Sequence, residues 1–200
     1  MADLSKIGFP DHIKGKCIIF SAPSGAGKTT IVRHLINEIP NLEFSISATS
    51  RQPRGQEQNA VDYHFFSVDV FKSKIEKGDF VEWEEVYKDN FYGTLKSEII
   101  KAWENKRIVL FDVDVIGGIN LKKIFGEMAL SIFVKPPSLT ALEKRLRNRQ
   151  TETEDQIKMR LDKANEEINH AEFFDYILLN DNLKIACEEI KEEVNSFITN

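Results

Sequence analysis

The sequence predicts an α/β fold: a parallel five-stranded sheet flanked by helices, plus a small, mostly antiparallel inserted sheet and a further helical region. Three observations predict it. Short apolar strands alternate with longer helical patterns along most of the chain. A glycine-rich turn joins the first apolar run to the first helix. Between Ser50 and about Trp103, aromatic and β-branched residues alternate with polar ones, which is typical of antiparallel strands.

Five short apolar runs are predicted to form the core sheet. They are Lys16–Ser21, Phe44–Ser47, Ile108–Val113, Leu130–Val134 and Tyr176–Leu179. Longer stretches with helical periodicity separate them. The predicted helices are Lys28–Glu38, Leu139–Arg149, Glu154–Ala171 and Leu183–Phe197, with a shorter one at Gly117–Ile124. A chain of 200 residues is long enough to bury about 70% of its unfolded surface around one core, so no disulfide is needed.

The inserted region is expected to contain strands at Tyr63–Phe66 and Phe80–Tyr87, with a helix at Val68–Glu76 packed on them. The polar segment Arg149–Glu154 separates two predicted helices, and either Thr151 or Thr153 is expected to cap the second one. A short polar segment of this kind is typical of a mobile flap over a site. We expect a single domain with three subregions. They are a core (14–48, 104–142 and 172–200), an insert (49–103) and a lid with its following helix (143–171).

Composition excludes several classes of function. Lys and Arg total 27 against 32 Asp and Glu, and a net charge of −5 does not suit binding of long nucleic acid. The apolar runs are too short for a membrane span, and no targeting segment is visible. Cys17 and Cys187 lie far apart in apolar patterns, which is typical of core thiols in a reducing compartment. We therefore expect a cytoplasmic protein, either a monomer or a weak homodimer, whose partners are small molecules.

The glycine-rich turn has the composition of a phosphate-binding loop. It runs Ala22-Pro23-Ser24-Gly25-Ala26-Gly27-Lys28-Thr29, followed by Thr30. Gly25 and Gly27 allow successive backbone N–H groups to point at phosphate oxygens. Lys28 supplies a mobile positive charge for the β- and γ-phosphates of a nucleotide, and the Thr29 hydroxyl suits Mg²⁺. Ala22 stands where the motif has its first glycine, which is tolerable if its φ is negative. The alternative is an ordinary glycine-rich turn before a helix.

A second candidate anion site follows the second predicted strand. Arg51 and Arg54 are three residues apart, and Pro53 stiffens the link between them, so both guanidinium groups can reach one small dianion. Glu57 is placed to orient one of the arginines, and Tyr63 has a hydroxyl for the same anion. The alternative is a solvated loop whose charges have no ligand.

These segments resemble the guanylate kinase family in order and spacing. The shared motifs are the loop at 21–30, Thr49-Ser50-Arg51 with Arg54 and Glu57, Asp62-Tyr63-His64-Phe65, Phe80-Val81-Glu82-Trp83, Phe91-Tyr92-Gly93-Thr94, Asp112-Val113-Asp114-Val115 and the arginine-rich segment 145–160. The resemblance spans about residues 16–185. It implies the reaction ATP + GMP ⇌ ADP + GDP with Mg²⁺. The fold that it implies is a P-loop kinase core with an inserted GMP-binding sheet and a helical lid.

The resemblance also assigns residues. Arg51, Arg54, Tyr63 and Tyr92 would hold the GMP phosphate, with Glu57 in the same set, and Ser47, Glu82, Thr94 and Asp114 would face the guanine. Guanine carries N1–H and an N2 amine as donors, which suit a carboxylate at Glu82. Without the resemblance, Glu82 would be interpreted as an outward residue of an acidic edge.

The lid assignments follow the same resemblance. Arg145, Arg149 and Arg160 would neutralise the transferring phosphoryl group, and Asn180 would touch the donor adenine. Arg145 and Arg149 share a helix face because they are four residues apart, whereas Arg147 points elsewhere and is expected to form helix salt bridges. Asp112 ends an apolar strand and would organise the water ligands of the metal, the alternative being a strand-end cap.

Four positions depart from the usual pattern of the family. Ala22 and Ala60 replace glycines, Ile116 replaces a glutamine, and Gln150 replaces a glycine after Arg149. None of them removes a group assigned to phosphate or metal. Two alternatives to a guanylate kinase remain. One is a non-catalytic interaction module of the same fold, and the other is a kinase of a different monophosphate.

Overall fold

A computed structural model describes residues 4–148 and 153–199. Its core is a parallel sheet of five strands in the order β2-β7-β1-β8-β9. These strands are β1 (Cys17–Ser21), β2 (Leu42–Phe44), β7 (Ile108–Asp112), β8 (Ala129–Lys135) and β9 (Tyr176–Leu179). The predicted fold class is confirmed. The central strand β1 is wholly buried, and its side chains alternate between two apolar layers, with Ile18 and Phe20 in one and Cys17 and Ile19 in the other.

Seven α-helices are present in the described residues. They are α1 (Lys28–Glu38), α2 (Val68–Glu76), α3 (Lys96–Glu104), α4 (Val115–Phe125), α5 (Leu139–Asn148), α6 (Glu154–Ile168) and α7 (Leu183–Thr199). Helices α1 and α7 contribute to the layer that contains Ile18, whereas α3 and α4 contribute to the layer that contains Cys17. Over the described ranges, no helix is both long enough and apolar enough to cross a membrane.

The insert is a four-stranded sheet in the order β4-β3-β6-β5, in which only the β3–β4 pairing is parallel. Its strands are β3 (Ala48–Thr49), β4 (His64–Phe65), β5 (Phe80–Tyr87) and β6 (Asn90–Leu95). Helix α2 covers one face, where the Phe71 ring stacks on Phe80 with 4.4 Å between ring centroids and on Phe91 with 5.5 Å. The opposite face is left free to form a site.

Several predicted boundaries agree with the structure and others do not. Helices α1 and α2 and strands β5 and β9 have the predicted bounds. The strand predicted at Phe44–Ser47 has the wrong bounds, because the sheet pairing runs over Leu42–Phe44. The Ser45 N–H still donates to the Leu110 carbonyl of β7, and the chain enters the insert after it. Helix α6 ends at Ile168, short of the predicted Ala171, and Thr153 caps its start.

The parallel strands carry the site at their carboxyl ends. Phe20 of β1 lies beside Asp112 of β7, so the glycine-rich loop after β1 and the acidic segment after β7 emerge at one edge of the sheet. Ligands of open α/β sheets bind at this edge. The insert begins after β2 and returns through α3, which places its free face against the same edge.

Candidate active site

The loop after β1 has the backbone of a phosphate cradle. Gly25 and Gly27 have φ values of +93° and +96°, in the left-handed region that favours glycine. A Cβ at Gly27 would lie 2.3 Å from the Asn180 amide nitrogen, so the position also lacks space for a side chain. Ala22 does not have a positive φ, and its methyl group is therefore accommodated without strain.

Lys28 points from the start of α1 into the carboxyl edge of the sheet. Its Nζ lies 2.7 Å from Asp112 Oδ1 and also donates to the Val113 carbonyl. The loop, Lys28, Thr29 and Asp112 line a cavity of about 420 Å³. Asp112 thus restrains the Lys28 ammonium group, which is expected to bind phosphate. Asp112 and Thr29 both line this cavity.

Residues of the lid and of the chain after β9 hold the loop in place. Arg145 donates to the Ala26 carbonyl over 3.3 Å and to the Asn180 carbonyl over 2.8 Å. Asn180 is 3% exposed, and its amide donates to the same Ala26 carbonyl over 2.7 Å. Arg160 donates to the Ser24 hydroxyl. Two of the three predicted lid arginines therefore reach the loop, and Arg149 lies outside the described residues, as does Gln150.

The second predicted anion site is also assembled around one arginine. Arg51 donates to both carboxylate oxygens of Glu57, over 2.6 and 2.9 Å, and its Nε donates to the Tyr92 hydroxyl over 3.1 Å. The same guanidinium lies 4.9 Å from the Tyr63 ring centroid. Glu57 also accepts from the backbone N–H of Arg54, whose side chain is exposed. Glu57 therefore orients Arg51 and shapes the backbone at Arg54.

Burial and charge around this arginine fix the protonation of its neighbours. Hydrogen bonds from Arg51 and from the Arg54 backbone lower the pKa of Glu57 to about 2, so this carboxylate is charged at every physiological pH. The bonds with Glu57 raise the pKa of Arg51 above its usual range. Burial is the main cause that raises the pKa of Tyr63, which keeps its hydroxyl protonated and able to donate.

The free face of the inserted sheet forms a second cavity, of about 280 Å³, beside the first. The predicted guanine-facing residues Ser47, Glu82 and Asp114 line it, together with Tyr63 and Tyr92. Thr94, which is 1% exposed, donates from its hydroxyl to Glu82 Oε1 over 2.7 Å. Glu82 is therefore held by one bond, with its other oxygen available to a ligand.

The Glu82 carboxyl lies in an environment that disfavours its charge. Burial raises its pKa from 4.5 to about 7, the Thr94 hydrogen bond opposes the rise, and the charges of Asp114 and Glu84 add to it. A ligand that donates hydrogen bonds to this carboxylate favours the ionised form. The site is consequently prepared for a donor-bearing group.

Asp114, which lines the same cavity, also has a structural role. Its Oδ1 accepts from the Gly117 N–H over 2.7 Å and caps α4, while its backbone carbonyl accepts from the Ser21 hydroxyl over 2.9 Å. Ile116, one of the departures from the family pattern, lines a third, adjoining pocket and is 48% exposed. Ala60, another departure, has a φ of +60°, a conformation in which glycine is less strained.

The two main cavities adjoin. Tyr63, Asp112, Val113 and Asp114 lie in the walls of both, so a ligand of the loop and a ligand of the inserted sheet would meet at these residues. A loop with the backbone of a phosphate cradle, beside a cavity bordered by the Arg51–Tyr92 contact, is typical of one class of protein, the P-loop phosphotransferases.

Comparison with known proteins identifies the family. A family model described as guanylate kinase matches residues 14–197. The guanylate kinase of Bacteroides thetaiotaomicron is 48% identical over 201 residues, covering 99% of this chain and 98% of that protein. That of Porphyromonas gingivalis is 48% identical over 184 residues, covering 92% of this chain and 98% of that protein. The crystal structure of the guanylate kinase from Anaplasma phagocytophilum matches with a TM-score of 0.74 at 26% identity, covering 93% of this chain and 87% of that one. The chain belongs to the guanylate kinase family, the enzymes that phosphorylate GMP with ATP.

Three charged residues of the two main cavities were not among the site residues predicted from the sequence. Glu84 lines the cavity on the inserted sheet, and Lys163 and Glu167 of α6 line the loop cavity. Burial is the main cause that raises the pKa of Glu167. A signal for Glu84 was present, because it lies two positions after Glu82 on a strand and so shares its face. Nothing local in the sequence of α6 shows which of its turns faces the loop.

Proposed function

We propose that the loop cavity binds ATP, that the cavity on the inserted sheet binds GMP, and that the residues around both perform the phosphoryl transfer. The chain transfers the γ-phosphoryl group of ATP to GMP and yields ADP and GDP, in nucleotide metabolism. The observation that carries the assignment of the two sites is the shared wall of the cavities, which would bring a terminal phosphate and an acceptor phosphate together.

On the donor side, Lys28 and the loop amides would hold the β- and γ-phosphates. The residues present fit Mg²⁺, because the Thr29 hydroxyl and the Asp112 carboxylate line one cavity and Mg²⁺ is usually held by one or two protein oxygens, water and substrate phosphates. Bound there, Mg²⁺ would neutralise phosphate charge. Asp112 would act through the water ligands, and Lys28 would exchange its contact with Asp112 for phosphate oxygens.

On the acceptor side, Arg51 would bind the GMP phosphate with Tyr63 and Tyr92, and Arg54 would close over it from the loop. Glu82 would accept from guanine N1–H and the N2 amine, with Ser47, Thr94 and Asp114 around the base. Adenine has no N2 amine and carries a donor at position 6, so it would leave Glu82 poorly paired. Sites of this kind can discriminate by about 10⁴-fold or more.

The lid residues complete the charge balance. Arg145 and Arg160 already contact the loop, and together with Arg149 they would stabilise the negative charge on the moving phosphoryl group. In the transfer, the bond from the γ-phosphorus to the β–γ bridging oxygen breaks, the bridging oxygen keeps the electron pair on ADP, and a GMP phosphate oxygen forms the new bond. The Asn180 side chain contacts the loop backbone, which supports a place near the donor nucleotide.

A cytoplasmic location is part of the proposal, supported by two buried, unpaired cysteines that suit a reducing compartment. A monomer or a weak homodimer remains the expected assembly, which light scattering at several protein concentrations would measure. The two substrates account for both main cavities, so no further small-molecule partner is needed for the reaction.

The test is a panel of nucleoside monophosphates assayed with ATP and Mg²⁺. We expect rapid ADP formation with GMP and a kcat/KM lower by about 10⁴-fold for AMP. CMP and UMP should be equally poor, and IMP, which lacks only the N2 amine, should lie between them and GMP. Comparable rates with GMP, AMP, CMP and UMP would overturn the assignment of the guanine pocket, and no phosphorylation of any of them would overturn the assignment of the two sites.

A further inference from the structure

The free face of the inserted sheet presents a second carboxylate, one step along the strands from Glu82. In the β5–β6 ladder, Glu82 lies opposite Thr94 and Glu84 lies opposite Tyr92. The register between these two pairs is regular, and cross-strand partners share a face, so all four side chains belong to the cavity side. Two residues along a strand advance by about 7 Å.

The two pairs match the two ends of a nucleotide. The Glu82–Thr94 pair lies at the proposed guanine end, whereas the Tyr92 hydroxyl bonds Arg51 at the proposed phosphate end. In any nucleoside monophosphate the ribose connects base and phosphate. A ligand that spans these pairs therefore brings its ribose past Glu84, which lines the cavity beside Tyr92.

Glu84 has no hydrogen bond or ion pair with any residue of the described ranges, and its side chain is exposed to the cavity. Its charge nevertheless has a cost, since it adds to that of Asp114 in disfavouring the ionised form of Glu82. Glu82 and Asp114 both have partners in this wall, Thr94 and the Gly117 N–H. Glu84 is the carboxylate of the three that has no partner within residues 4–148 and 153–199.

We propose that Glu84 is a specificity-determining residue that accepts a hydrogen bond from a ribose hydroxyl of GMP and so favours ribonucleotides over deoxyribonucleotides. This inference rests on the proposed binding of GMP in this cavity. The ribose is the part of GMP that offers hydroxyl donors, and a carboxylate accepts from such a donor more strongly than a neutral group does. The loss of a charged hydrogen bond of this kind corresponds to about a tenfold or larger loss of affinity.

Lys163 of α6 is the alternative partner for Glu84 within the protein, because both residues line the third pocket. Lys163 is 3.7 Å from Glu167 on its own helix, however, and its side chain is 67% exposed. The ribose has a position fixed by both ends of the substrate, which is why we assign Glu84 to the ribose.

The experiment is a thermodynamic cycle in which the Glu84 carboxylate and a ribose hydroxyl are removed separately and together. Glu84→Ala and the unaltered protein are assayed with GMP, 2′-deoxy-GMP and 3′-deoxy-GMP at saturating ATP, and binding of each monophosphate is measured by calorimetry without ATP. Glu85→Gln is the matched control, because Glu85 neighbours Glu84 on the strand and accepts from the Asp89 N–H, an interaction that glutamine retains.

We expect Glu84→Ala to lower kcat/KM for GMP by about tenfold and to change it by less than about twofold for at least one deoxy analogue. Glu85→Gln should leave kcat/KM unchanged for all three monophosphates. An equal effect of Glu84→Ala on all three substrates, or an effect reproduced in full by Lys163→Ala, would overturn the ribose assignment while GMP phosphorylation itself remained intact. A failure of the proposed function would be distinct, since the unaltered protein would then not phosphorylate GMP.

Discussion

The Thr94 hydroxyl donates a 2.7 Å hydrogen bond to the Glu82 carboxylate across the two long strands of the insert. This bond fixes one carboxylate oxygen, and burial of the same group raises its pKa to about 7. The residue proposed to recognise guanine therefore titrates within the physiological range. Two predictions follow from this one side chain, one on binding and one on stability.

The first prediction concerns the pH dependence of GMP binding. Below pH 7, Glu82 is largely protonated in the free protein and loses an acceptor, so GMP affinity should rise with pH through about 7 and then level off. The GMP phosphate also titrates near pH 6. Glu82→Gln provides the control, since it retains the substrate titration and removes that of the carboxyl. Identical pH profiles of GMP affinity for both proteins between pH 5.5 and 8.5 would contradict the prediction.

The second prediction concerns the free energy of unfolding of the free protein. A carboxyl whose folded pKa of about 7 exceeds its unfolded value of 4.5 binds more protons when folded, so ionisation destabilises the protein. The destabilisation is absent below pH 4.5 and complete above pH 7. Glu82→Gln should therefore unfold with a free energy higher by about 1–3 kcal/mol at pH 8, with a difference that shrinks towards pH 5. Denaturant titration at both pH values measures it, and a less stable variant at pH 8 would refute the prediction.

Glu57 should matter for the acceptor and little for the donor. Its carboxylate holds both terminal nitrogens of Arg51, and its low pKa of about 2 keeps it charged throughout the assay range. Glu57→Ala should raise the KM for GMP by about tenfold, because Arg51 would lose the orientation that a phosphate requires. The KM for ATP is the internal control. A change shared equally by both substrates would show a general structural effect in place of a positioning role.

Local signals in the sequence explain which parts of the fold were predictable. Helix α2 was predicted residue for residue from its periodicity, and in the structure Ser67 caps it by accepting from the Val70 N–H. Strand β9 was predictable from its apolar run. The boundary near Ser45 was not, because the end of β2 depends on where the chain leaves the sheet. Helix α3, which opens without a side-chain cap, was not predicted.

The candidate site likewise has parts that could be predicted from the sequence and parts that could not. The loop, Arg51, Glu57 and Glu82 were found through motifs and the family resemblance. The loop and Glu82 line the two adjoining cavities, and Arg51 contacts the cavity residues Tyr63 and Tyr92. The contact of Arg145 with the Ala26 carbonyl joins residues 119 positions apart, and no local pattern specifies it. Burial, which sets the pKa of Glu82, is likewise a property of the whole fold.

Lys28 is predicted to be essential for transfer and dispensable for folding. Lys28→Met keeps much of the side-chain volume and removes the charge that is proposed to meet the phosphates, so kcat/KM should fall by at least about a hundredfold. Asp112 loses its 2.7 Å partner but remains partly solvated, with 18% of its side chain exposed. The melting temperature should therefore change by no more than about 4 °C, which corresponds to about 1 kcal/mol in a chain of this size. Arg51→Ala should behave similarly, with its loss largest for GMP.

Arg145 and Arg147 lie on one helix, α5, and offer a test position and a matched control. Arg145 reaches the loop through two backbone carbonyls, whereas Arg147 pairs with Glu143 and Glu154 on the outer surface. Arg145→Ala should lower kcat by about a hundredfold or more, since it removes a charge proposed to stabilise the moving phosphoryl group. Arg147→Ala should keep kcat within about twofold, because exposed ion pairs contribute little. Steady-state assays that vary GMP at saturating ATP separate kcat from KM, and Arg145→Lys tests whether charge alone suffices. Equal losses in both alanine variants would mean that the lid acts through its overall fold, and the proposed role of Arg145 would then be wrong.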